Sequence, residues 1–254
     1  MPEPAARNSA ERADLAGHAV AVPRYQIVSV NVAEPTVLLH HSSGDVISAI
    51  GKRPVTASSL DLSMLNLDGD RQADTRRTPA GGQVHGGPDQ AVYVLPVEHF
   101  PRLAEIVGSD IEPGFMGENV TLRGAREADV CIGDTWQWGR AVVQVTAPRG
   151  PCFKLGIRIG RQAARTVIRE EGLIGWYLRV LTPGVVPTEG TITLVERHPA
   201  GITVAVVHRA LQDRHAVHPE LAGLDVMSTN VRAALVRRGR DVTGGVPEAD
   251  SPVA

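Results

Sequence analysis

The chain has 254 residues, which is long enough for one large domain with a substantial hydrophobic core. Hydrophobic residues make up 43% and charged residues 21%, which is typical of globular proteins and excludes disorder throughout. The net charge of −2 and the aromatic content of 4% predict no nucleic-acid polymer as a partner. No membrane helix or secretory signal is visible, and two cysteines cannot form a disulfide framework, so we expect a cytoplasmic protein.

The two ends of the chain differ in composition from the middle. Residues 1–22 have no sustained apolar period and are predicted to be a disordered leader. Residues 241–254 (DVTGGVPEADSPVA) are polar and rich in Gly and Pro, and they are predicted to be a disordered tail. We therefore expect a β-rich domain at residues 23–198 and a helical appendage at residues 199–240.

Short apolar or alternating runs, separated by turn signals, follow one another through the first two-thirds of the chain. They predict strands at residues 25–32, 37–41, 46–50, 60–67, 91–95, 119–122, 135–138, 140–147, 175–181 and 190–197. Only two helices are predicted among them, at about residues 97–107 and within residues 154–171. Many short strands at near-regular spacing predict a mainly β (α+β) protein built on a barrel or a sandwich.

The pattern changes after residue 198, where strand signals give way to helical spacing. Apolar residues and capping side chains predict helices at residues 202–212, at residues 219–224 and from a cap at Ser228 or Thr229 to about Arg237. We expect these segments to form a small three-helix appendage that packs on the β-rich core.

Most standard catalytic motifs are absent from the sequence. There is no phosphate-binding P-loop, no dinucleotide fingerprint and no Gly-x-Ser-x-Gly elbow. Cys131 and Cys152 are too far apart for a Cys-x-x-Cys pair, and no zinc-binding spacing occurs. Cys131 lies in an apolar segment and is interpreted as a structural cysteine, while His215 and His218 are interpreted as surface residues.

The most informative segment is residues 147–155 (APRGPCFKL), where a predicted strand ends. Two prolines stiffen the connection and present Cys152 between Arg149 and Lys154. Flanking cations favour the thiolate, which is the form that attacks electrophiles and binds soft metals. From the residues alone, a functional cysteine and a small buried hydrophobe are equally good interpretations of Cys152.

Polar side chains also gather in several predicted loops, at residues 51–54 (GKRP), 68–74 (DGDRQAD), 85–89 (HGGPD) and 114–119 (GFMGEN). The two lysines of the chain, Lys52 and Lys154, both fall in these loops or in the cysteine segment. Each loop alone is typical of a solvated turn. Together with the cationic cysteine turn on a β scaffold, they would suit an anionic ligand.

Taken in order, seven segments resemble the MOSC family (molybdenum cofactor sulfurase C-terminal domain), and within it the bacterial YiiM-type members, which handle 6-N-hydroxylaminopurine. The segments are GKRPV at 51–55, LDGDRQAD at 67–74, VHGGPDQAVY at 84–93, GENVTL at 117–122, CIGDTW at 131–136, APRGPCFKL at 147–155 and GWYLRVLTPG at 175–184. The likeness covers about residues 45–197, and the helices after residue 198 resemble the appendage of the YiiM-type members.

The resemblance implies a β-barrel that binds the molybdenum cofactor (Mo-molybdopterin), with the motif cysteine, here Cys152, as the catalytic residue and molybdenum ligand. By motif position it implies contacts with the phosphate or the pterin for Lys52, Arg53, Arg149 and Lys154. It implies contacts with the pterin's donors or with the substrate for Asp70, His85, Glu118 and Asn119. Hydrogen bonding within the turns is the structural alternative for these eight residues. The loop at 75–84 (TRRTPAGGQV) is longer than is usual in the family, which makes it a candidate lid or a candidate determinant of substrate preference.

The leading hypothesis is therefore a molybdenum-dependent oxidoreductase that reduces N-hydroxylated compounds to the amine. The chain carries no flavin, haem or iron–sulfur motif, which predicts a separate electron-donating reductase as its partner. Two alternatives are a sulfur carrier that uses a persulfide on Cys152 and a cofactor carrier without turnover. The helical appendage could serve as a homodimer contact or as a docking site for the donor, and its sequence does not choose between them.

Overall fold

The computed structural model describes residues 22–42, 44–73, 76–83, 85–213 and 217–243, the last six of these without their side chains. Twelve strands are assigned within these ranges: β1 (Arg24–Val32), β2 (Thr36–Leu39), β3 (Val46–Ser48), β4 (Arg53–Pro54), β5 (Ser59–Leu62), β6 (Val92–Pro96), β7 (Val120–Arg123), β8 (Thr135–Trp138), β9 (Ala141–Pro148), β10 (Trp176–Thr182), β11 (Gly184–Pro187) and β12 (Thr191–Glu196). Six helices accompany them: α1 (Phe100–Val107), α2 (Phe153–Ile159), α3 (Gln162–Glu170), α4 (Val204–Gln212), α5 (Pro219–Ala222) and α6 (Thr229–Thr243).

Seven of the strands close into a barrel in the order β1-β7-β6-β10-β9-β8-β12, because β12 also pairs with β1. Neighbours are antiparallel except for the parallel pair β6 and β7. A parallel pair needs a crossover, and α1 lies on the connection between these two strands. The mainly β class predicted from the sequence is confirmed, and of the two architectures left open it is the barrel.

Two apolar clusters form the core. The barrel interior holds the three tryptophans, and alternation along β10 sends Trp176 and Leu178 inward. The residue between them, Tyr177, packs on the second cluster, which lies between the barrel wall and α1–α3. The second cluster fixes α2, and so the cysteine that precedes it, against the outside of the barrel.

The C-terminal helices α4, α5 and α6 follow the barrel, as expected for the appendage. Thr203 caps α4 by accepting a hydrogen bond from the amide of Val206 at 3.3 Å. Val204, Val207 and Leu235 belong to the same cluster as the barrel interior, so the helices share its core. No helix in the described ranges is both long enough and apolar enough to cross a bilayer.

Several elements differ from those predicted. Residues 154–171 contain two helices, because Gly160 adopts a left-handed conformation (φ 75°) that ends α2. The predicted turn at 183–184 leads into the strand β11, which pairs with β5 outside the barrel, and the short strand β4 was not predicted. The last helix runs beyond Arg237 to Thr243, so the first three residues of the predicted tail are helical.

The predicted leader, apart from Val22, and the tail from Gly244 onward lie outside the described residues. The division of the chain into domains at residues 23–198 and 199–240 stays a prediction, since no observation tests those boundaries.

Candidate functional site

A cavity of about 430 Å³ lies where the barrel loops, the start of α2 and the helices α4 and α6 meet. Its wall contains seven of the nine residues singled out in the sequence: Lys52, Asp70, His85, Asn119, Arg149, Cys152 and Lys154. These residues come from five separate segments of the chain, and the barrel brings them together. The volume is within the range of sites that hold cofactors and other small molecules.

Cys152 stands between the end of β9 and the first residue of α2, with an extended backbone (φ −90°, ψ 170°). Burial alone would raise the pKa of its thiol. A hydrogen bond with His85 and the charge of Arg149 act in the opposite direction and prevail, lowering the pKa to about 6. The side chain is therefore a thiolate at neutral pH, which is the form that binds soft metals.

Arg149 lies in the cavity wall and is only 5% exposed. Its guanidinium stacks over the Tyr93 ring at 5.1 Å from the ring centroid, and Nη2 donates to the carbonyl of Met116 at 3.4 Å. The other terminal nitrogen, Nη1, is buried and has no hydrogen-bond partner among the described residues. An unsatisfied buried donor is costly, so this nitrogen has hydrogen-bonding capacity left for an anionic ligand.

Lys52 and Asp70 form a buried ion pair in the same wall. The Asp70 carboxylate also accepts hydrogen bonds from the amide of Ala33 and from the Asn119 side chain, both at 2.9 Å. Burial lowers the pKa of Lys52, and the neighbouring Asp70 carboxylate opposes that effect. The network fixes the positions of a cation, an anion and an amide at the edge of the cavity.

Lys154 is buried as well, and its ammonium donates to the carbonyl of Ile47 at 2.9 Å. Both lysines of the chain therefore lie in this cavity. Among the described residues, the wall contains one carboxylate, that of Asp70, and four side chains of basic residues: Lys52, Arg71, Arg149 and Lys154. The cavity is consequently suited to a ligand that carries more than one negative charge.

Two of the nine candidate residues do not line the cavity. Arg53 lies in β4 with an exposed side chain. Glu118 is fully buried, and its carboxylate accepts hydrogen bonds from the amides of Gly114 and Met116 and from the Thr121 hydroxyl, at 2.7, 3.1 and 3.0 Å. Glu118 thus fixes the 114–117 turn that presents Met116 and Gly117 to the cavity, which is the structural alternative that the sequence left open.

The sequence analysis missed several residues of the cavity wall. Tyr93 and Tyr177 were interpreted only as strand residues. Side chains of a strand alternate between its two faces, so a tyrosine between two residues that face the barrel interior is expected to face the outside of the barrel, where the cavity lies. The helices α4 and α6 add Leu211, Asn230, Val231 and Ala234. No local signal identifies these four residues, because their role depends on where the appendage packs.

The loop at residues 75–84 is described from residue 76 to residue 83. Asn230 of α6 holds this part by accepting a hydrogen bond from the Thr78 hydroxyl at 2.8 Å and by donating to the Gln83 carbonyl at 2.6 Å. The loop is therefore attached to a helix that lines the cavity. Its role as a lid stays a prediction.

Two residues interpreted as structural or surface residues, Cys131 and His218, make ordinary side-chain contacts. Cys131 is 4% exposed and accepts a hydrogen bond from Arg197 at 3.1 Å. His218 contacts Glu220 at 3.3 Å, and His215 lies outside the described residues. Within the described ranges, no three or more His, Cys, Asp or Glu side chains come together as a metal-binding group.

Comparison with known proteins identifies the class to which this barrel and its cysteine loop belong. The family model of the MOSC domain matches residues 81–193. The uncharacterized protein YflK of Bacillus subtilis is 37% identical over 186 residues, which cover 73% of this chain and 80% of YflK. The chain belongs to the MOSC domain family, as the sequence segments predicted.

Within that family, the chain is similar to YiiM. The crystal structure of YiiM from Geobacillus stearothermophilus has a TM-score of 0.67 and 30% identity, and the match covers 84% of this chain and 98% of that one. A protein named Reductase from Gibberella moniliformis is 35% identical over 137 residues, which cover 52% of this chain and 24% of that protein. The chain therefore corresponds to about a quarter of the length of this last relative.

Proposed function

We propose that the chain binds the molybdenum cofactor in this cavity and reduces N-hydroxylated compounds, such as 6-N-hydroxylaminopurine, to the corresponding amine. The reaction breaks the N–O bond, consumes two electrons and two protons, and releases the amine and water. When bound, the molybdenum centre supplies two-electron chemistry at oxygen, which no side chain can provide. Membership of the MOSC domain family and the likeness to YiiM support this proposal.

The residues present fit such a cofactor. The Cys152 thiolate is a sulfur ligand of the kind that molybdenum takes, and its partly buried position in the cavity wall leaves it accessible to a ligand. The spare donor on Arg149 would bind an anionic group of the pterin, and Lys52 and Lys154 would offset the charge of its phosphate. The observation that carries the proposal is the combination of a thiolate and a buried arginine with an unused donor in one cavity.

Other residues of the chain hold these groups in position. The hydrogen bond from His85 keeps Cys152 in its thiolate form, and the Asp70 carboxylate fixes both Lys52 and Asn119. Apolar side chains from α4 and α6, including Leu211 and Val231, cover one side of the cavity and would exclude water from it.

The chain has no motif for a flavin, a haem or an iron–sulfur cluster. The two electrons would therefore come from a separate reductase, that is, from a reduced flavin or iron–sulfur protein.

The test is reduction of 6-N-hydroxylaminopurine by the holoprotein, with dithionite as the electron source. We expect adenine to form with the wild-type protein and its rate of formation to fall at least about a hundredfold in Cys152→Ala. His218→Ala, which changes a partly exposed histidine outside the cavity, is the control and should retain the full rate. Equal rates in the wild-type protein and Cys152→Ala would contradict the proposal.

A second function, sulfur transfer through a Cys152 persulfide, is favoured by the lowered pKa of that thiol alone. It requires a reactive thiolate but makes no use of the spare donor on Arg149 or of the buried lysines. Persulfide detected at Cys152 in protein purified without molybdenum would favour this second function.

A further inference from the structure

The carboxylate of Glu127 is buried outside the cavity, on the connection between β7 and β8. The residue is 6% exposed and does not line the cavity. Its Oε1 accepts hydrogen bonds from the backbone amides of Gly175 at 2.6 Å and Ile174 at 3.2 Å. Its Oε2 lies 2.8 Å from Nε2 of His99, which is also buried. A buried carboxylate is costly unless it is paired and hydrogen-bonded, and these contacts meet that need.

The contacts also keep Glu127 ionised. Burial alone would raise the pKa of the carboxyl group, but the contact with His99 and the hydrogen bond from the Gly175 amide prevail and lower it. A carboxylate only accepts hydrogen bonds, so His99 donates from Nε2. Hydrogen bonds from amides to a carboxylate are roughly twice as strong as bonds between neutral groups. Glu127 therefore holds the backbone of the two residues before β10 firmly.

The two residues that Glu127 holds are also bonded to the arginine of the cavity wall. The carbonyl of Ile174 accepts a hydrogen bond from the Tyr93 hydroxyl at 2.9 Å, and the carbonyl of Gly175 accepts one from the backbone amide of Arg149 at 3.2 Å. Gly175 permits this close approach, because its φ is 65° and a Cβ there would collide with the backbone of β6. Amides that face Glu127 and carbonyls that face the arginine site thus belong to the same short segment.

This segment supports Arg149 at two points. It bonds the main chain of Arg149 directly, and it fixes the hydroxyl of Tyr93, whose ring lies under the guanidinium. An arginine side chain has many rotamers, so contacts of this kind are needed to offset the entropy lost when it is held in one place. The position of the guanidinium matters, because its Nη1 is the spare donor of the cavity and its charge acts on the Cys152 thiol.

We propose that Glu127 is a positioning residue, which holds the backbone of Ile174 and Gly175 and thereby places the Arg149 guanidinium in the cavity. The proposal rests on the proposed function, in which Arg149 binds an anionic group of the cofactor. Since Glu127 does not line the cavity, it acts through Arg149 and not on a ligand. The placement itself can be measured without the cofactor.

The test compares the alkylation of Cys152 by iodoacetate, which carries one negative charge, with alkylation by neutral iodoacetamide. Both rates are measured at pH 7 on the full-length, cofactor-free protein in a Cys131→Ala background. Both reagents attack the thiolate, so the thiolate fraction cancels in the ratio of the two rates. A cation beside the sulfur favours the anionic reagent, so the ratio reports where the charge of Arg149 lies. Arg149→Met gives the ratio without that charge.

We expect Arg149→Met to lower the ratio about fivefold and Glu127→Ala to lower it at least about threefold. Glu127→Asp is too short to reach both His99 and the Gly175 amide, so it should act in the same direction even if Glu127→Ala does not fold. Glu127→Gln keeps the length of the side chain and an oxygen for the amides, and its ratio should stay within about twofold of the wild-type value. Near-UV circular dichroism establishes that each variant is folded.

Asp134→Ala is the matched control. Asp134 is another fully buried carboxylate, and it accepts hydrogen bonds from the backbone amides of Cys131 at 2.9 Å and His198 at 3.1 Å. It also contacts one basic side chain, that of Arg197, and none of these four residues lines the cavity. Its removal costs contacts of the same kind as the removal of Glu127, and it should leave the ratio unchanged.

Four results would overturn the proposal. They are a wild-type ratio in folded Glu127→Ala or Glu127→Asp, a fall in Glu127→Gln as large as in those variants, an equal fall in Asp134→Ala, and an unchanged ratio in Arg149→Met. The last result would mean that the guanidinium does not lie beside the thiol.

The two proposals fail in different ways. In a host that makes the cofactor, wild-type protein without molybdenum would contradict the proposed function and leave the alkylation ratios as they are. A wild-type ratio in Glu127→Ala, together with molybdenum in the wild-type protein, would contradict the role of Glu127 alone.

Discussion

The substitution Asp70→Ala is expected to lower the free energy of unfolding of the cofactor-free protein by about 3–5 kcal/mol. The Asp70 carboxylate is the partner of the buried Lys52 ammonium, and it also accepts hydrogen bonds from Ala33 and Asn119. Its removal leaves a buried charge without a counter-charge and two donors without an acceptor. Urea denaturation of both proteins at pH 7 measures the difference.

A second variant distinguishes the loss of stability caused by the unpaired buried charge from the loss caused by poorer packing at position 70. Asp70→Asn combined with Lys52→Met removes both charges and keeps an acceptor at position 70, so it should recover at least half of the lost stability. Glu171→Ala serves as a control, because it breaks only an exposed pair with Arg102 and should change stability little. A loss below about 1 kcal/mol in Asp70→Ala would contradict the account of the ion pair.

Alkylation of Cys152 in the cofactor-free protein is expected to follow a pH profile with its midpoint near pH 6. The lowered pKa means that the thiolate is fully present above that pH and is lost as the pH falls through it. A free cysteine titrates at about 8.5, so at pH 7 Cys152 should have a far larger thiolate fraction than an unperturbed thiol. The rate of reaction with iodoacetamide, measured from pH 4.5 to pH 9.5 in a Cys131→Ala background, gives the midpoint.

Arg149→Met tests the cause of this shift. The charge of Arg149 lowers the pKa of Cys152, and its removal should therefore move the alkylation midpoint upward. Arg24→Glu, at a distant exposed position of β1, should leave the midpoint where it is. A midpoint near 8.5 in the Cys131→Ala protein would show that neither His85 nor Arg149 acts on the thiol.

Much of the barrel could be predicted from the sequence, because its strands carry their own signals. The alternation in β1 and the runs of β8, β9 and β10 each mark a strand within one or two residues. Closure of the barrel could not be predicted from local patterns, since it depends on β1 pairing with β12 from the far end of the domain. The strand β11 was missed because Pro183 and Gly184 signal a turn whatever follows them.

The same distinction applies to the candidate site: some of its residues carry a local sequence signal, and others do not. The Cys152 loop was recognisable because prolines, flanking cations and a strand end coincide within nine residues. Local sequence could not reveal that Glu118 turns inward to bind backbone amides, since its neighbours are typical of an open polar loop. Nor could it reveal the wall contributed by Leu211 and Asn230, which exists only because the appendage packs across the barrel.

The ion pair of Lys52 and Asp70 could not be predicted from the sequence either. Both residues lie in segments that resemble the family, but nothing in the sequence pairs them across 18 positions. Their partnership follows from burial, because a buried ammonium needs a carboxylate within reach. The sequence therefore predicted which loops meet at the site, and the structure adds which side chains hold one another there.

We propose that the cavity around Cys152 holds molybdenum, and elemental analysis of molybdenum per chain tests this most directly. The wild-type protein, Cys152→Ala and Arg149→Met are produced in a host that makes the cofactor. We expect about one molybdenum per wild-type chain, none in Cys152→Ala and a strongly reduced amount in Arg149→Met. Metal-free wild-type protein from that host, or full metal content in Cys152→Ala, would contradict it.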